Sequence, residues 1–432
     1  MQPARPGGHV RSWYAATANR DLRFPALDGD LRCQVLVVGG GYTGLSTAIE
    51  PRERGLDVVL VEAQRVGWGA SGRNGGQAVT GFNKDISAIA GWVGRDDARK
   101  LWDMSEEAKT ILRQRVEQYG IDCDLRWGYV LGALKRRHME ELEAHLAEWD
   151  GLGYHQGRML SRAEVRALVD APGYVGGLLD SGSGQLHPLN YALGLAEAAR
   201  SLGVRIFEDT PVTWLDQASP AVAETPKGRI TADFVALCGN AYLPALSAEV
   251  DRTIRSRVMP VGTYIIATEP LGEALAQQTI PSGFAVADIN FVLNYYRLGH
   301  DTRMLFGGGV SYSGYEPRRL AETMRRTMAR TLPRLADRKI EFCWGGHVGI
   351  TLNRTPHFGR LAPHIFFAQG FSGHGVLLTG MAGRVMAEAI RGQADRFDVF
   401  ARIPHQPFPG GRLLRMPALV LAMAWYRLRD LL

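Results

Sequence analysis

Apolar positions along the chain follow strand and helix rhythms in turn. From Cys33 to Val38 they run almost unbroken, as in a strand buried on both faces, and Val58–Val61 repeats the pattern. Between these runs come glycines and then a stretch of helical spacing. Residues 31–63 therefore predict strand, glycine turn, helix and second strand. Pro51 stands inside that helix. An interior proline removes a backbone hydrogen bond and clashes with the carbonyl four residues back, at about 3 kcal/mol, so the helix is expected to kink or end near Glu50.

The run RVGWGASGRNGGQ at 65–77 is too rich in glycine for a helix and reads as a loop. From Ile86 to Glu148 apolar residues recur at three- and four-residue spacing, notably in ARKLWDMSEEAKTILRQRVEQYG and KRRHMEELEAHLAEW, which predicts helices of a cap. HPLNYALGLAEAARSLGVRIFEDTPVTWL reads as helix and strand. RITADFVALCGNA reads as a hairpin arm followed by a buried strand that returns to the first sheet. Strand patterns dominate 256–341 and end in a basic helix near 317–333. The last such signal is a glycine loop opening a helix, GFSGHGVLLTGMAGRVMAEAI.

These elements predict an α/β chain. A discontinuous Rossmann-type nucleotide-binding domain is expected from 31–90, 160–255 and 342–395, with an α+β substrate or cap domain from 91–159 and 256–341. An N-terminal arm, 1–30, and a helical tail, 396–432, complete the division. The length of 432 residues suits two domains or one composite domain, and the 46% apolar and 22% charged composition is that of a globular protein. The 51 glycines point to tight turns and close backbone approaches to a ligand.

The excess of 50 basic over 44 acidic residues is small and spread along the chain, without the basic stripe and interleaved aromatics of a nucleic-acid binder. Cys33, Cys123, Cys238 and Cys343 form no C-x-x-C pair, so neither a metal site nor a disulfide framework is expected; reduced thiols in a cytoplasm fit better. Neither a signal-peptide core nor an apolar run of about 20 residues is evident, so no secreted or membrane-spanning form is expected. The tail mixes Arg412, Arg415, Arg427 and Arg429 with ALVLAMAWY. It reads as a helix packed on the body, with contact at a membrane surface as the sharper alternative. His347 lacks companions at metal spacing and reads as a packed polar side chain.

Chemistry enters with Gly39, Gly41 and Gly44, a G-x-G-x-x-G between strand and helix. The first permits the turn, the second admits a pyrophosphate, and the third lets helix pack on strand. Glu62, at the end of the second strand, can accept both ribose hydroxyls. A nicotinamide fingerprint is normally followed by further regular βαβ units, but here a second glycine loop follows, which favours FAD. Arg73 in that loop can face phosphate or flavin.

VVGGGYTGLSTA, VEAQRVGWGASGRNGGQ, LHPLNYALGLA and QGFSGHGVLLTGMAGRVMAEAI resemble flavin-dependent amine oxidoreductases of the D-amino-acid oxidase and sarcosine oxidase superfamily. Within it, YAATAN and FPGGRLLRMPALVLAMAWYRLRDLL are most similar to gamma-glutamylputrescine oxidoreductases, and the likeness spans Tyr14 to Leu432. The resemblance implies that Gly39, Gly40, Gly41, Tyr42, Thr43, Gly44, Glu62 and Ala63 hold the ADP half of FAD. Gly69, Ala70, Ser71, Arg73, Asn74, Gly75 and Gly76 would line pyrophosphate and ring, and Val212 would hold adenine through its backbone. Gly370, Phe371, Ser372, Gly373 and Gly375 would lie beside the flavin.

Two departures refine this. Sarcosine-oxidase-like relatives tether FAD through a cysteine where this chain has Gly346, with Cys343 nearby, so non-covalent FAD is expected. Those relatives also pair the substrate carboxylate with a lysine just after the GFSGHG loop, where Val376 and Leu377 stand here. An amine whose carboxylate lies far from the reacting carbon fits better.

The expected reaction is hydride transfer from the α-carbon of a neutral amine to flavin, then hydrolysis of the imine to aldehyde and ammonia. Gln77, Tyr295 or Tyr296, and Trp344 are expected at the substrate wall, with His374 as the candidate catalytic group. Oxidases of this group often place a lysine above the flavin to assist oxygen, and none occurs between Lys227 and Lys339; either Arg297 or a histidine substitutes for it, with oxygen as acceptor, or the electrons pass to another acceptor. The alternatives are a D-amino-acid, sarcosine or proline dehydrogenase, and a flavin-binding subunit without turnover.

Overall fold

The computed structural model describes residues 8–290, 292–311 and 319–409. Strand β1 (Leu31–Val38), helix α1 (Tyr42–Glu53) and strand β2 (Val58–Val61) form the expected unit, with β1 and β2 parallel and Val35 opposite Val58. Val35–Val38 and all of β2 are buried, because apolar clusters cover both faces of this sheet.

Helix α1 is made of weak helix formers, YTGLSTAIEPRE, yet Tyr42 to Pro51 are all buried. Packing rather than propensity holds it. It also corrects the expectation for Pro51, since the helix runs on to Glu53 and the proline falls in its last turn. Only Arg52 and Glu53 follow the proline in the helix, so the lost hydrogen bond lies at a helix end.

Strand β3 (Gln77–Ala78) ends the second glycine run, and helix α2 (Arg95–Gln118) follows farther on. Expected in a cap, α2 instead packs against the later helix Gly375–Ile390, and Arg115 ties it to α1 by donating to Ser46 Oγ at 2.7 Å and to Glu50 Oε1 at 2.9 Å. Its buried stripe, Leu101, Met104, Ala108, Ile111 and Leu112, joins the core beneath the first sheet. A strand, Arg126–Ala133, interrupts the expected helical region before the helix Arg136–Gly151. Farther along, and not contiguous, come strand β4 (Gly176–Gln185), β5 (Gly228–Leu237), β6 (Ile340–Ile350), β7 (Ile365–Gln369) and helix α3 (Gly375–Ile390).

The eight-stranded first sheet runs His357–Ala362, β7, β5, β1, β2, Arg205–Phe207, with the short hairpin strands Trp214–Asp216 and Ala221–Thr225 attached to β5. The return of β5 beside β1 is as expected, parallel, with Leu36 opposite Val235. The nine-stranded second sheet runs β6, Met259–Pro270, Arg303–Ser311, Tyr295–Leu298, Ala285–Asp288, Arg126–Ala133, β4, β3, with Gly157–Ser161 on β4. Both β3 and β4 are thus strands of the second sheet, although they lie in segments 31–90 and 160–255.

The basic helix occupies Leu320–Thr331 and buries Leu320, Met324 and Met328 against the second sheet. Trp13 and Tyr14 of the expected polar arm are buried with Trp344, and the Trp13 indole donates to Asp301 Oδ2 at 2.9 Å. The basic and apolar segment of the tail lies outside the described residues. Among the described residues, no helix is long and apolar enough to cross a membrane.

Candidate active site

Where β1, β5 and β7 end, their carboxyl edges open into loops, the place where parallel α/β sheets bind ligands. The loop after β1 turns at Gly39, whose φ of +113° suits glycine, and its N–H donates to Val61 O at 2.8 Å. At Gly44 the helix lies so close to that turn that a Cβ would stand 1.8 Å from Gly39 O. Both spacings follow the roles expected of the motif.

The second glycine run folds onto the first. Gly67 N donates to Gly40 O at 2.9 Å, and Ser71 Oγ accepts the Tyr42 N–H at 2.9 Å. A three-residue helical turn at Ala70–Gly72 is held by Asn74, whose Nδ2 donates to Ala70 O and Ser71 O, each at 3.0 Å.

These loops enclose a cleft of about 1240 Å³, part of it open to solvent. Of the residues expected at the site, Gly39, Gly41, Tyr42, Thr43, Glu62, Ala63, Gly69, Ala70, Ser71, Asn74, Val212, Phe371, Ser372, Gly373 and Gly375 line it. The N-caps of α1 and α3, Gly41 and His374, make no side-chain capping hydrogen bond. Two helix N-termini therefore present backbone N–H groups and dipole ends suited to an anion.

Glu62 accepts Gly40 N–H at 2.7 Å through Oε2 and Gln64 N–H at 2.9 Å through Oε1. Burial raises its pKa against the pull of these bonds. Each carboxylate oxygen keeps a further lone pair for a ligand hydroxyl.

Around the remaining expected residues the geometry differs. Gly40 and Gly44 support the loop from behind, and Gly370 is held by Asn240, whose Oδ1 accepts its N–H at 2.9 Å. Arg73 lays its guanidinium 4.0 Å over the Trp68 ring and donates through Nε to Trp68 O at 2.6 Å and through Nη1 to Gly345 O at 3.3 Å. Its Nη2 is buried without a hydrogen-bond partner, and burial lowers its pKa. Such an orphaned donor fits an acceptor on a bound group. Gly346 backs onto the Arg73 side chain, while Gly75 O accepts Arg297 Nε–H at 2.9 Å and Gly76 packs beside Leu186 O.

His374 is half-buried at the head of α3, and its Nδ1–H donates to Gly81 O at 3.1 Å, leaving Nε2 as the lone-pair nitrogen. Desolvation brings its pKa down to about 4, so the ring is neutral at ordinary pH. Gln77 is half-buried on β3 and donates to Val286 O at 3.2 Å, while Tyr129 OH donates to its Oε1 at 3.3 Å.

Two expected wall residues are corrected. Tyr296 is 1% exposed, stacks on Phe306 and donates to Tyr174 OH at 3.1 Å inside the core of the second sheet. Trp344 is fully buried, with its indole N–H on Arg73 O at 3.1 Å and its ring edge-on to Tyr14. Strand alternation explains the first case: Tyr295, one residue earlier, faces the opposite side and lies against Gly75 and Gly307. His347 is exposed rather than packed, touching Tyr242.

Sequence reasoning missed Trp68, Thr210, Pro211, Cys238, Gly239, Asn240, Tyr242 and Val348, which also line the cleft. One signal for them existed, since Gly239 follows a buried strand as Gly39 does. The Cys238 thiol is pushed up to about 12 by burial, which keeps it protonated. Asp85, His145 and Glu148 bring ligand-type atoms within 4.8 Å of one another, but Glu148 is engaged by the N–H groups of Ile86 and Ser87.

Comparison with known proteins follows the same lines. The family described as FAD dependent oxidoreductase, DAO, matches residues 34–389. The chain is 45% identical over 422 residues to the gamma-glutamylputrescine oxidoreductase of Escherichia coli strain K12, covering 98% of each chain. Glycine oxidase from Geobacillus kaustophilus superposes with a TM-score of 0.73 at 22% identity, over 85% of this chain and 97% of that one. L-proline dehydrogenase from P. horikoshii gives 0.73 at 18% identity, over 86% and 96%.

Proposed function

This chain belongs to the DAO family of FAD-dependent oxidoreductases, and from that premise we propose that it oxidatively deaminates a primary amine, gamma-glutamylputrescine or one similar to it. The observation that carries the substrate class is the 45% identity, over 98% of both chains, to an enzyme named for that compound. Overall, amine, water and an oxidised acceptor give aldehyde, ammonia and the reduced acceptor.

In this reading the N–H groups of Gly41 and Thr43 at the head of α1 hold the pyrophosphate, the head of α3 lies beside the ring, Glu62 takes the ribose hydroxyls, and Val212 meets adenine through its backbone. Ala70–Gly76, Gly346 and Gly370–Ser372 would hold the ring, with the free Nη2 of Arg73 as a donor to it. Bound FAD supplies a ring able to take a hydride from the carbon beside the amine nitrogen.

What this chain supplies is placement and dryness. Val376 lines the cleft and Leu377 is buried, so the first turn of α3 offers no cation to a carboxylate next to the reacting carbon. An apolar lining favours the uncharged amine, and neutral His374 places no fixed positive charge beside it. The acid limb of the rate profile then belongs to the amine, with no inflection from His374 above pH about 4.

An anaerobic panel of amines tests the proposal directly: gamma-glutamylputrescine is expected to bleach the flavin and yield ammonia. Faster bleaching by a D-amino acid, sarcosine or proline would replace this reading with a dehydrogenase of those substrates. Bleaching by none would leave a flavin-binding subunit. Because Gly346 stands in the tether position, we further propose that the cofactor is non-covalent; acid precipitation is expected to leave a colourless pellet. Mixing reduced enzyme with oxygen distinguishes oxygen from another electron acceptor.

A further inference from the structure

Past β3, residues Val79–Asn83 cross from the second sheet to the loop that opens α3. At one end this crossing is anchored in a buried polar cluster. Asp180 on β4, 1% exposed, accepts Thr80 Oγ1–H at 2.6 Å and Gly182 N–H at 2.9 Å, together with the Tyr154 and Ser183 hydroxyls. Ser183 Oγ in turn accepts the Thr80 N–H at 2.8 Å. A buried carboxylate with four donors is satisfied and fixes the geometry of all of them.

At the other end the crossing holds the cleft. Asn83 Nδ2 donates to Ser372 O at 2.6 Å, and Gly81 O accepts the His374 Nδ1–H at 3.1 Å. Ser372 needs such support, because its φ of +52° is a left-handed conformation at a residue other than glycine. Its own N–H on Gly349 O at 3.1 Å and its Oγ–H on Gly370 O at 3.0 Å supply the rest.

We propose that Val79–Asn83 is a strap that sets the Ser372–His374 loop against the cofactor ring, with Asn83 and Thr80 as positioning residues and Asp180 as the buried anchor. The proposal rests on the reading that an amine is oxidised beside that loop. The strap also carries the chain on from Gln77, so one segment registers the second sheet and the loop together. It leaves the ADP half untouched, because Glu62 and the loop after β1 are held by separate bonds.

The test compares holoenzyme with Asn83→Ala, Thr80→Val and Thr80→Ser for FAD affinity, visible flavin spectrum, midpoint potential and anaerobic reduction by saturating gamma-glutamylputrescine. Asn83→Ala and Thr80→Val are expected to keep FAD affinity within about twofold, shift spectrum and potential, and slow reduction roughly ten- to hundredfold. Thr80→Ser, which restores the hydroxyl, is expected to return all three readouts to those of the parent. Unchanged spectrum, potential and rate in both disruptive variants would overturn the strap. So would a joint loss of FAD affinity and melting temperature, which marks general support of the fold. If no amine reduces the parent, the substrate reading fails, and spectrum and potential still decide the strap.

Discussion

At the Gly39–Ser71 end of the cleft, backbone N–H groups, carbonyls and one carboxylate make the surface, whereas toward the second sheet the surface depends on which side chains the strands turn outward. At the first end nearly every expected position is on the wall. Across from it, Tyr296 and Trp344 are core residues, while Tyr295, the other expected tyrosine, lies against Gly75 and Gly307. A backbone site is written in glycine spacing over a few residues. A side-chain wall depends on strand phase and on what packs behind it.

The comparison breaks most sharply at Gly44. In Gly44→Ala the new methyl cannot coexist with Gly39 O, so α1 must shift, and FAD affinity is expected to fall by more than about a hundredfold. Flavin absorbance per chain after purification measures this, and full yellow stoichiometry would refute the close approach.

Acidification probes buried histidines away from the cleft wall, with the next largest effect. Burial lowers His187 to about 3 and His357 to about 2, so both are neutral when folded and take up protons on unfolding below pH about 6.5. Stability is therefore complete above that pH and falls as pH drops toward 3, by on the order of 1–2 kcal/mol for each ring at pH 5. Thermal melts between pH 7.5 and 5 read the loss, and a flat profile would remove the claim.

Glu62→Gln sharpens the first end, since an amide cannot accept through both positions. FAD affinity is expected to drop about tenfold, corresponding to roughly 1.4 kcal/mol, in equilibrium titration. For the other side, Tyr296→Phe is expected to cost about 1 kcal/mol of stability through its bond to Tyr174, with unchanged reduction kinetics. A changed rate would return Tyr296 to the substrate wall. Smallest of all is Pro51→Leu, which restores one hydrogen bond in the last turn of α1. A slight rise in melting temperature and unaltered FAD affinity are expected.

Much of the fold was legible because its signals are local. The β1–α1–β2 unit, the return of β5 and the glycine loop before α3 each declare themselves within about a dozen residues, through burial on both faces or helical period. Other elements were not. The strand Arg126–Ala133 sits between two strongly helical stretches, and β4 reads GGLLDSGSGQ, a sequence poor in strand formers that pairing alone makes a strand. Helix α2 was legible as an amphipathic helix, but not the partner its buried stripe would choose; that partner is α3, where Ile111 lies against Gly380, while Arg115 reaches Glu50 of α1. Asn240 escaped because its role, holding Gly370, exists only once β5 and β7 lie side by side.

By itself the sequence determined the nucleotide fold, its cofactor and the anion-binding turns, because backbone geometry at glycines and the burial of parallel strands are properties of short stretches of chain. Tertiary structure alone decided which aromatic rings are wall and which are core, where Arg73 leaves a donor free, and how Asp180 reaches Ser372 and His374 through Thr80, Gly81 and Asn83. Those outcomes depend on which distant segments meet. Apolar burial drives the segments together without direction, and hydrogen-bond satisfaction then selects among the arrangements it permits.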